Sequence, residues 1–233
     1  MKRLIVTMLT LTMLFALTAC NSNKGPEVSQ ELTESSKTEN ISSEPQAAEA
    51  KALVVYFSVP ETTNPNNMTD EEANSTVIIN GEVLGNTQYV ANVIQRNTGG
   101  DIFRIEPETP YPTDHRTLVD LAKDEQNRNF RPIIKGHIDN LDKYDTIFVG
   151  YPNWWGDMPM ILYSFFDEYD FSGKTIIPFN THGGSGFSNT INVITELEPN
   201  ATVNKNGFTV SRNTVQDSET KIISWLKDLG YKK

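Results

Sequence analysis

Residues 52–57 read Ala-Leu-Val-Val-Tyr-Phe, an unbroken apolar run of β-branched and aromatic side chains. A strand with one wet face alternates apolar and polar residues, whereas a strand apolar at every position is buried on both faces. Such a strand needs a layer above it and a layer below it. Runs of the same kind recur at 101–106 (DIFRIE), 145–151 (DTIFVGY) and 174–180 (KTIIPFN). A weaker one lies at 207–210 (GFTV), with 201–203 as a preceding piece. Between them, apolar residues recur at helical spacing over 86–97, 113–128, 158–166, 188–197 and 214–229. This alternation predicts an α/β domain, a doubly wound five-stranded parallel sheet with helices on both faces.

The first strand is not followed directly by its helix. Residues 59–74 are polar and turn-rich, and 76–85 (TVIINGEVLG) place two short apolar runs around Asn80-Gly81. Asn-Gly between such runs is a strong short hairpin signal. A hairpin closes on itself, so 59–84 reads as an insert. With the insert set aside, Ser58 is followed by Gly85-Asn86-Thr87 and an amphipathic helix. A strand, a hydroxyl-rich turn and a helix N-terminus together suit a phosphate group. The same Asn86 or Thr87 also has the chemistry of an ordinary helix cap.

The amino terminus sets the context. Lys2 and Arg3 precede an apolar run from Leu4 to Leu17, then Thr18-Ala19-Cys20, and Cys20 is the only cysteine. A charged start, a short apolar run and small residues describe a secretory signal, here residues 1–20. "LTAC" resembles the lipobox of bacterial lipoproteins, which implies lipidation of Cys20 and anchorage to the membrane on the extracytoplasmic side of the bacterial envelope. An ordinary cleaved signal is the alternative. Residues 21–51 are rich in Ser, Glu, Thr, Asn and Gln, a composition that cannot bury enough surface to order itself, and read as an acidic tether. The folded domain is expected over 52–233. The chain's formal net charge is -10, which disfavours nucleic acid as a partner. In an acidic chain, a bound phosphate is expected to rest on N–H groups and hydroxyls more than on Lys or Arg. A lone cysteine excludes an internal disulfide and a cysteine metal cluster. No Ser-His-Asp order and no convincing carboxylate pair points to catalytic residues.

In open α/β sheets, ligands bind outside the carboxyl ends of the strands. After the third run comes YPNWWGDMP, 151–159, with two adjacent tryptophans in a Gly/Pro-flanked loop. One indole is expected in the core and Trp155 is expected to face a flat ligand. After the fourth run comes NTHGGSGFSN, 180–189, whose glycines let backbone approach a ligand closely. His115 and His137 read as surface or capping residues, and the stiff stretch 107–115 lies near the same edge.

Together LVVYFS with GNT, VGYPNWWGDMP and PFNTHGGSGF resemble the flavodoxin family, most closely its larger, lipoprotein-borne branch. The resemblance runs from Ala52 to about Leu229. It implies flavin mononucleotide (FMN) as cofactor, with its phosphate at Ser58, Asn86 and Thr87. Thr62 or Thr63 of the insert is a further candidate there. The isoalloxazine would lie between Pro152, Asn153, Trp154, Trp155 and Gly156 on one side and Thr181, His182, Gly183, Gly184 and Phe187 on the other. The implied role is electron transfer, as a carrier or as a reductase of a quinone-like acceptor. A non-redox lipoprotein that kept the fold and binds another ligand is the alternative.

Overall fold

The structure is a computed structural model and describes residues 51–231. The expected signal, the expected lipidation site Cys20 and nearly all of the expected tether fall outside the described residues. In chain order the elements are β1 (Ala52–Tyr56), α1 (Asp70–Ala73), β2 (Thr76–Ile79), β3 (Glu82–Gly85), α2 (Asn86–Thr98), β4 (Asp101–Arg104), β5 (Glu106–Pro107) and α3 (His115–Arg128). They continue with β6 (Ile134–Lys135), β7 (Thr146–Pro152), α4 (Met160–Glu168), β8 (Thr175–His182), α5 (Thr190–Leu197), β9 (Thr202–Val203), β10 (Phe208–Ser211) and α6 (Glu219–Asp228).

The main sheet has the order β10-β8-β7-β1-β4, and every pair in it is parallel. The piece at 201–203 becomes β9, which pairs with the start of β8 rather than extending β10. The apolar runs behave as their composition requires. In β1, Leu53 and Val55 join a core with Ile147, Val149, Leu118, Ile161 and Phe165, under α3, α4 and α5. Val54 and Tyr56 join the other core with Phe148, Phe179, Val90, Ile94, Ile222 and Leu226, under α2 and α6. Alternate residues of one strand therefore face two separate cores, which is why no position could be polar.

Helix ends follow local chemistry. Asp114 caps α3 through the Thr117 N–H (2.9 Å), so α3 starts at His115 rather than at 113. Gly99 ends α2 in the left-handed conformation (φ 69°). The last helix starts at Glu219, later than its periodicity suggested, because Val215–Asp217 forms a 3₁₀ turn.

The insert forms its own two-stranded sheet, β2 with β3, turning at Asn80 (φ 52°) and Gly81 (φ 84°). It is more than an excursion. Thr76 and Val77 are buried, and Val77 belongs to the core under α2.

Candidate functional site

At the carboxyl end of the sheet a cleft of about 290 Å³ opens, at the low end of the ~300–1,000 Å³ common for small-molecule sites. A second hollow of similar volume lies beside Arg104, Glu106, Glu108 and Lys135 and shares Ser58 and Val59 with the cleft.

One end of the cleft is built from the tip of β1, the insert and the start of α2. The chain leaves β1 at Ser58, makes the insert, and returns so closely that a Cβ on Gly85 would collide with Ser58 Oγ. The two halves of the interrupted loop thus meet in space. The insert also braces the helix start. The Asn86 N–H donates to the Ser75 carbonyl (3.0 Å), and Asn86 Nδ2 donates to the Asn74 carbonyl (2.9 Å). Thr87 and Gln88 lie too early in α2 to have an intrahelical acceptor for their N–H groups; Gln88 Oε1 turns back to accept from the Gly85 N–H (3.2 Å), while Gly85 at the N-cap has no side chain to meet the N–H groups beyond it. The positive dipole end of α2 therefore faces the cleft lined by Ser58, Asn86 and Thr87. Thr87 Oγ1 lies 2.8 Å from Thr181 Oγ1 at the tip of β8. Asn86 Oδ1 is buried without a hydrogen-bond partner, and so is Arg212 Nε. Orphaned polar atoms in a cleft wall are costly unless a ligand or water meets them.

The other end is made by two loops that are each closed by their own bonds. In the first, the Gly156 N–H donates to Asn153 Oδ1 (3.1 Å), and Trp154 and Asp157 exchange backbone hydrogen bonds. In the second, the Gly184 N–H donates to His182 Nδ1 (2.8 Å), which leaves a neutral ring its proton on Nε2. Burial holds the His182 pKa below the usual imidazole range. Asn153 joins the loops, its Nδ2 donating to the Gly186 carbonyl (3.0 Å) and to Ser188 Oγ (3.1 Å). Trp154 packs edge-on against Phe57 and Tyr111, each at 5.5 Å between ring centroids. Trp155 is 52% exposed, takes a left-handed backbone (φ 53°), and donates its Nε1–H to the Val119 carbonyl on α3. Lys123 Nζ sits 5.2 Å from the Trp155 ring centroid.

Helix α3 forms a side wall with His115, Leu118, Val119 and Ala122. His115 is therefore no capping residue: Asp114 holds that position, and His115 Nδ1 lies 2.9 Å from Oε2 of the buried Glu61. Burial raises the Glu61 carboxyl pKa, and the hydrogen bond with His115 opposes that rise. His137 is exposed.

Of the residues expected to hold a ligand, Ser58, Asn86, Thr87, Pro152, Asn153, Trp154, Trp155, Thr181, His182 and Gly183 line this one cleft. Gly156, Gly184 and Phe187 do not line it. The Phe187 ring lies against Gly207, where a Cβ would sit 2.7 Å from its Cζ, and Phe187 packs on the core under α5. Thr62 and Thr63 do not line it either, because the insert reaches the cleft through Glu61, Asn74 and Ser75. Those three residues, Leu118, Val119 and Ala122 of α3, and Arg212 carried no expectation, whereas His115 ends the stretch 107–115 that was expected to border the site. Arg212 had a readable signal: it lies two residues after the fifth apolar run, at the sheet edge where ligands bind. Asn74 and Ser75 had none, since only folding of the insert brings them to the start of α2.

Comparison with known proteins agrees with this architecture. The family model described as Flavodoxin matches residues 75–229. No curated protein matches. Among solved structures, a protein from Bacteroides eggerthii DSM 20697 described as a candidate flavoprotein is 28% identical, with a TM-score of 0.59 over 78% of this chain and 99% of that one. A similarly described protein from Bacteroides uniformis ATCC 8492 is 26% identical, with a TM-score of 0.59 over 77% of this chain and 99% of that one. A flavoprotein from Lactobacillus acidophilus NCFM, solved in complex with FMN, shares the fold at 19% identity, with a TM-score of 0.51 over 73% of this chain and 99% of that one. With more than half of its length matched by the family model and its strands in the order β10-β8-β7-β1-β4, the chain belongs to the flavodoxin family.

Proposed function

We propose that this chain binds FMN in the cleft at the carboxyl end of the sheet and serves in electron transfer outside the cytoplasm. The observation that carries the reading is the pairing of two chemistries in one cleft. The first N–H groups of α2, at Thr87 and Gln88, with the Ser58 and Thr87 hydroxyls beside them, suit a phosphate monoester. The loops bearing Trp154 and Trp155 suit a flat aromatic ring. The donor set fits the group: N–H groups and hydroxyls at one end, aromatic faces and a neutral imidazole at the other. When bound, FMN would supply one- and two-electron redox chemistry.

The residues of this chain would bind and orient. Ser58, Thr87 and the α2 N–H groups hold the phosphate. Asn153 fixes the spacing of the two ring loops through Gly186 and Ser188. Trp155, tied to Val119 and Lys123, limits water at the outer edge. His182, kept neutral by burial, offers an N–H donor from Nε2 at the cleft wall. The acceptor class is a quinone-like molecule or a redox protein, and the lipid on Cys20 would hold the domain at the membrane surface.

Titration of the purified, flavin-free full chain with FMN, followed by visible absorbance and tryptophan emission, tests the cofactor. Saturable binding with quenched emission is expected, and a colourless protein that refuses FMN defeats the reading. Membrane fractionation of Cys20→Ala tests the anchor, because normal processing and retention of that variant would exclude lipidation.

A further inference from the structure

Arg212 stands out among the arginines. Arg96, Arg104, Arg128 and Arg131 each lie within 4.0 Å of a carboxylate. Arg212 and the exposed Arg116 have no carboxylate within that distance among the described residues, in a chain with Asp+Glu 30 against Lys+Arg 20, and of these two Arg212 is the one that lines the cleft. Its position is nevertheless well fixed. The Arg212 N–H donates to the His182 carbonyl (2.9 Å), rooting the residue where β10 and β8 end together. Its guanidinium lies against Gly183, where an added Cβ would meet Cζ and Nη1 at 3.3 Å. A Cβ at this position would press the guanidinium aside by a few tenths of an ångström. Its Nε is buried with no acceptor, and the side chain lines the same cleft as Asn74, Ser75, Asn86 and Thr87.

A guanidinium cannot shed its proton near neutrality, so burial does not relieve it as it would a lysine. A fixed cation with a buried donor and no acid beside it calls for an external anion. Its planar fork is suited to two oxygens of one phosphate.

We propose that Arg212 is the cationic partner of the ligand's phosphate, holding it together with the start of α2. The inference rests on the reading of the cleft as an FMN site. It replaces the expectation that an acidic chain would hold the group without a cation: the negative surface is answered locally by one arginine brought in from the last strand. FMN is thereby distinguished from riboflavin, which has the ring and no phosphate.

The full chain and its Arg212→Gln and Arg212→Lys variants are titrated with FMN and with riboflavin, with thermal unfolding of each flavin-free form alongside. For Arg212→Gln, FMN affinity should fall about 10- to 100-fold while riboflavin affinity stays within about twofold. Arg212→Lys keeps the charge and loses the fork, so its FMN loss should be smaller and again absent for riboflavin. In the unaltered chain, raising salt should weaken FMN more than riboflavin. If Arg212→Gln fails to unfold cooperatively, the lysine variant and the salt series carry the decision. Equal losses for both flavins place the arginine at the ring and overturn the proposal, as does unchanged FMN affinity. An unaltered chain that binds neither flavin fails the cofactor reading itself, a result visible before any variant is compared.

Discussion

The two ends of the cleft are held by different physics. At the end near α2, Ser58, Gly85, Asn86, Thr87, Thr181 and Arg212 all have φ in the ordinary negative range, and contacts between distant segments position them. At the end formed by the two loops, Trp155, Gly156, Gly184, Gly186 and Ser188 all take positive φ, and bonds a few residues long close each loop. One end is crowded and assembled; the other is two kinked loops, each closed locally and joined to the other through Asn153. Damage to the first should therefore spread through packing, whereas damage to the second should stay with whatever the loops touch.

The largest effect is expected from Gly85→Ala. Its backbone conformation (φ −68°) accepts alanine, so the penalty comes from the collision with Ser58, whose Oγ must rotate away and whose Cβ would still lie 3.2 Å off. Overpacking of this kind costs up to about 3 kcal/mol, and FMN affinity should drop by at least about tenfold. Chemical denaturation and an FMN titration read both. Unchanged stability and affinity would show that the two halves of the split loop are not in contact.

Next is Thr87→Val. It keeps the shape but leaves the Thr181 hydroxyl without its 2.8 Å partner. A loss of about 1.5 kcal/mol is expected in FMN binding and little in riboflavin binding, with a smaller loss in apo stability. Parallel losses for the two flavins would mean that Thr87 only braces β8 against α2.

Asn153→Ala addresses the opposite end. It removes the bonds to Gly186, Ser188 and Gly156 that set the loop spacing, all on a half-exposed side chain. About 1 kcal/mol should be lost from both flavins alike, with the core's unfolding midpoint nearly unmoved. A loss confined to FMN would contradict the division of the cleft into two ends.

The smallest effect is in pH. Burial lowers the folded-state His182 pKa from its usual 6.5. A base depressed on folding contributes stability that is fully present above 6.5 and is lost as pH falls through the lowered folded value. Since the ring is partly exposed, the swing should stay under about 1 kcal/mol after screening. Thermal unfolding between pH 7.5 and 5, compared with His182→Gln, should show a shallower pH dependence in the variant. Identical slopes would show that His182 is as hydrated in the fold as in the unfolded chain.

The loops after β7 and β8 were legible as loops because each is one continuous stretch, Trp154-Trp155 and Gly183-Gly184 announcing themselves in sequence, but that Gly156, Gly184 and Phe187 fall outside the cleft was not. The α2 end was legible only in part. Ser58, Asn86 and Thr87 could be joined across the insert because a hairpin at Asn80-Gly81 must return the chain near its start. The buried position of Val77 and the bonding of Asn74 and Ser75 to Asn86 could not be read, since they depend on how the insert packs. For the same reason His115 looked like a capping residue until Glu61, 54 positions earlier, was found against it.

By itself, then, the sequence determined the sheet and its two covering layers. A strand buried on both faces must be apolar throughout, and helices between such strands must cross over in parallel. It also determined the kinked loops after β7 and β8, each closed by bonds a few residues long, though not the bonds from Asn153 to Gly186 and Ser188 that join them. The tertiary structure alone decided what completes the other end of the cleft. Asn74 and Ser75 arrive through the fold of the insert, His115 through Glu61, and Arg212 through the pairing of β10 with β8. Each is placed by packing against segments far away in the chain, and no local pattern of residue types encodes such a distance.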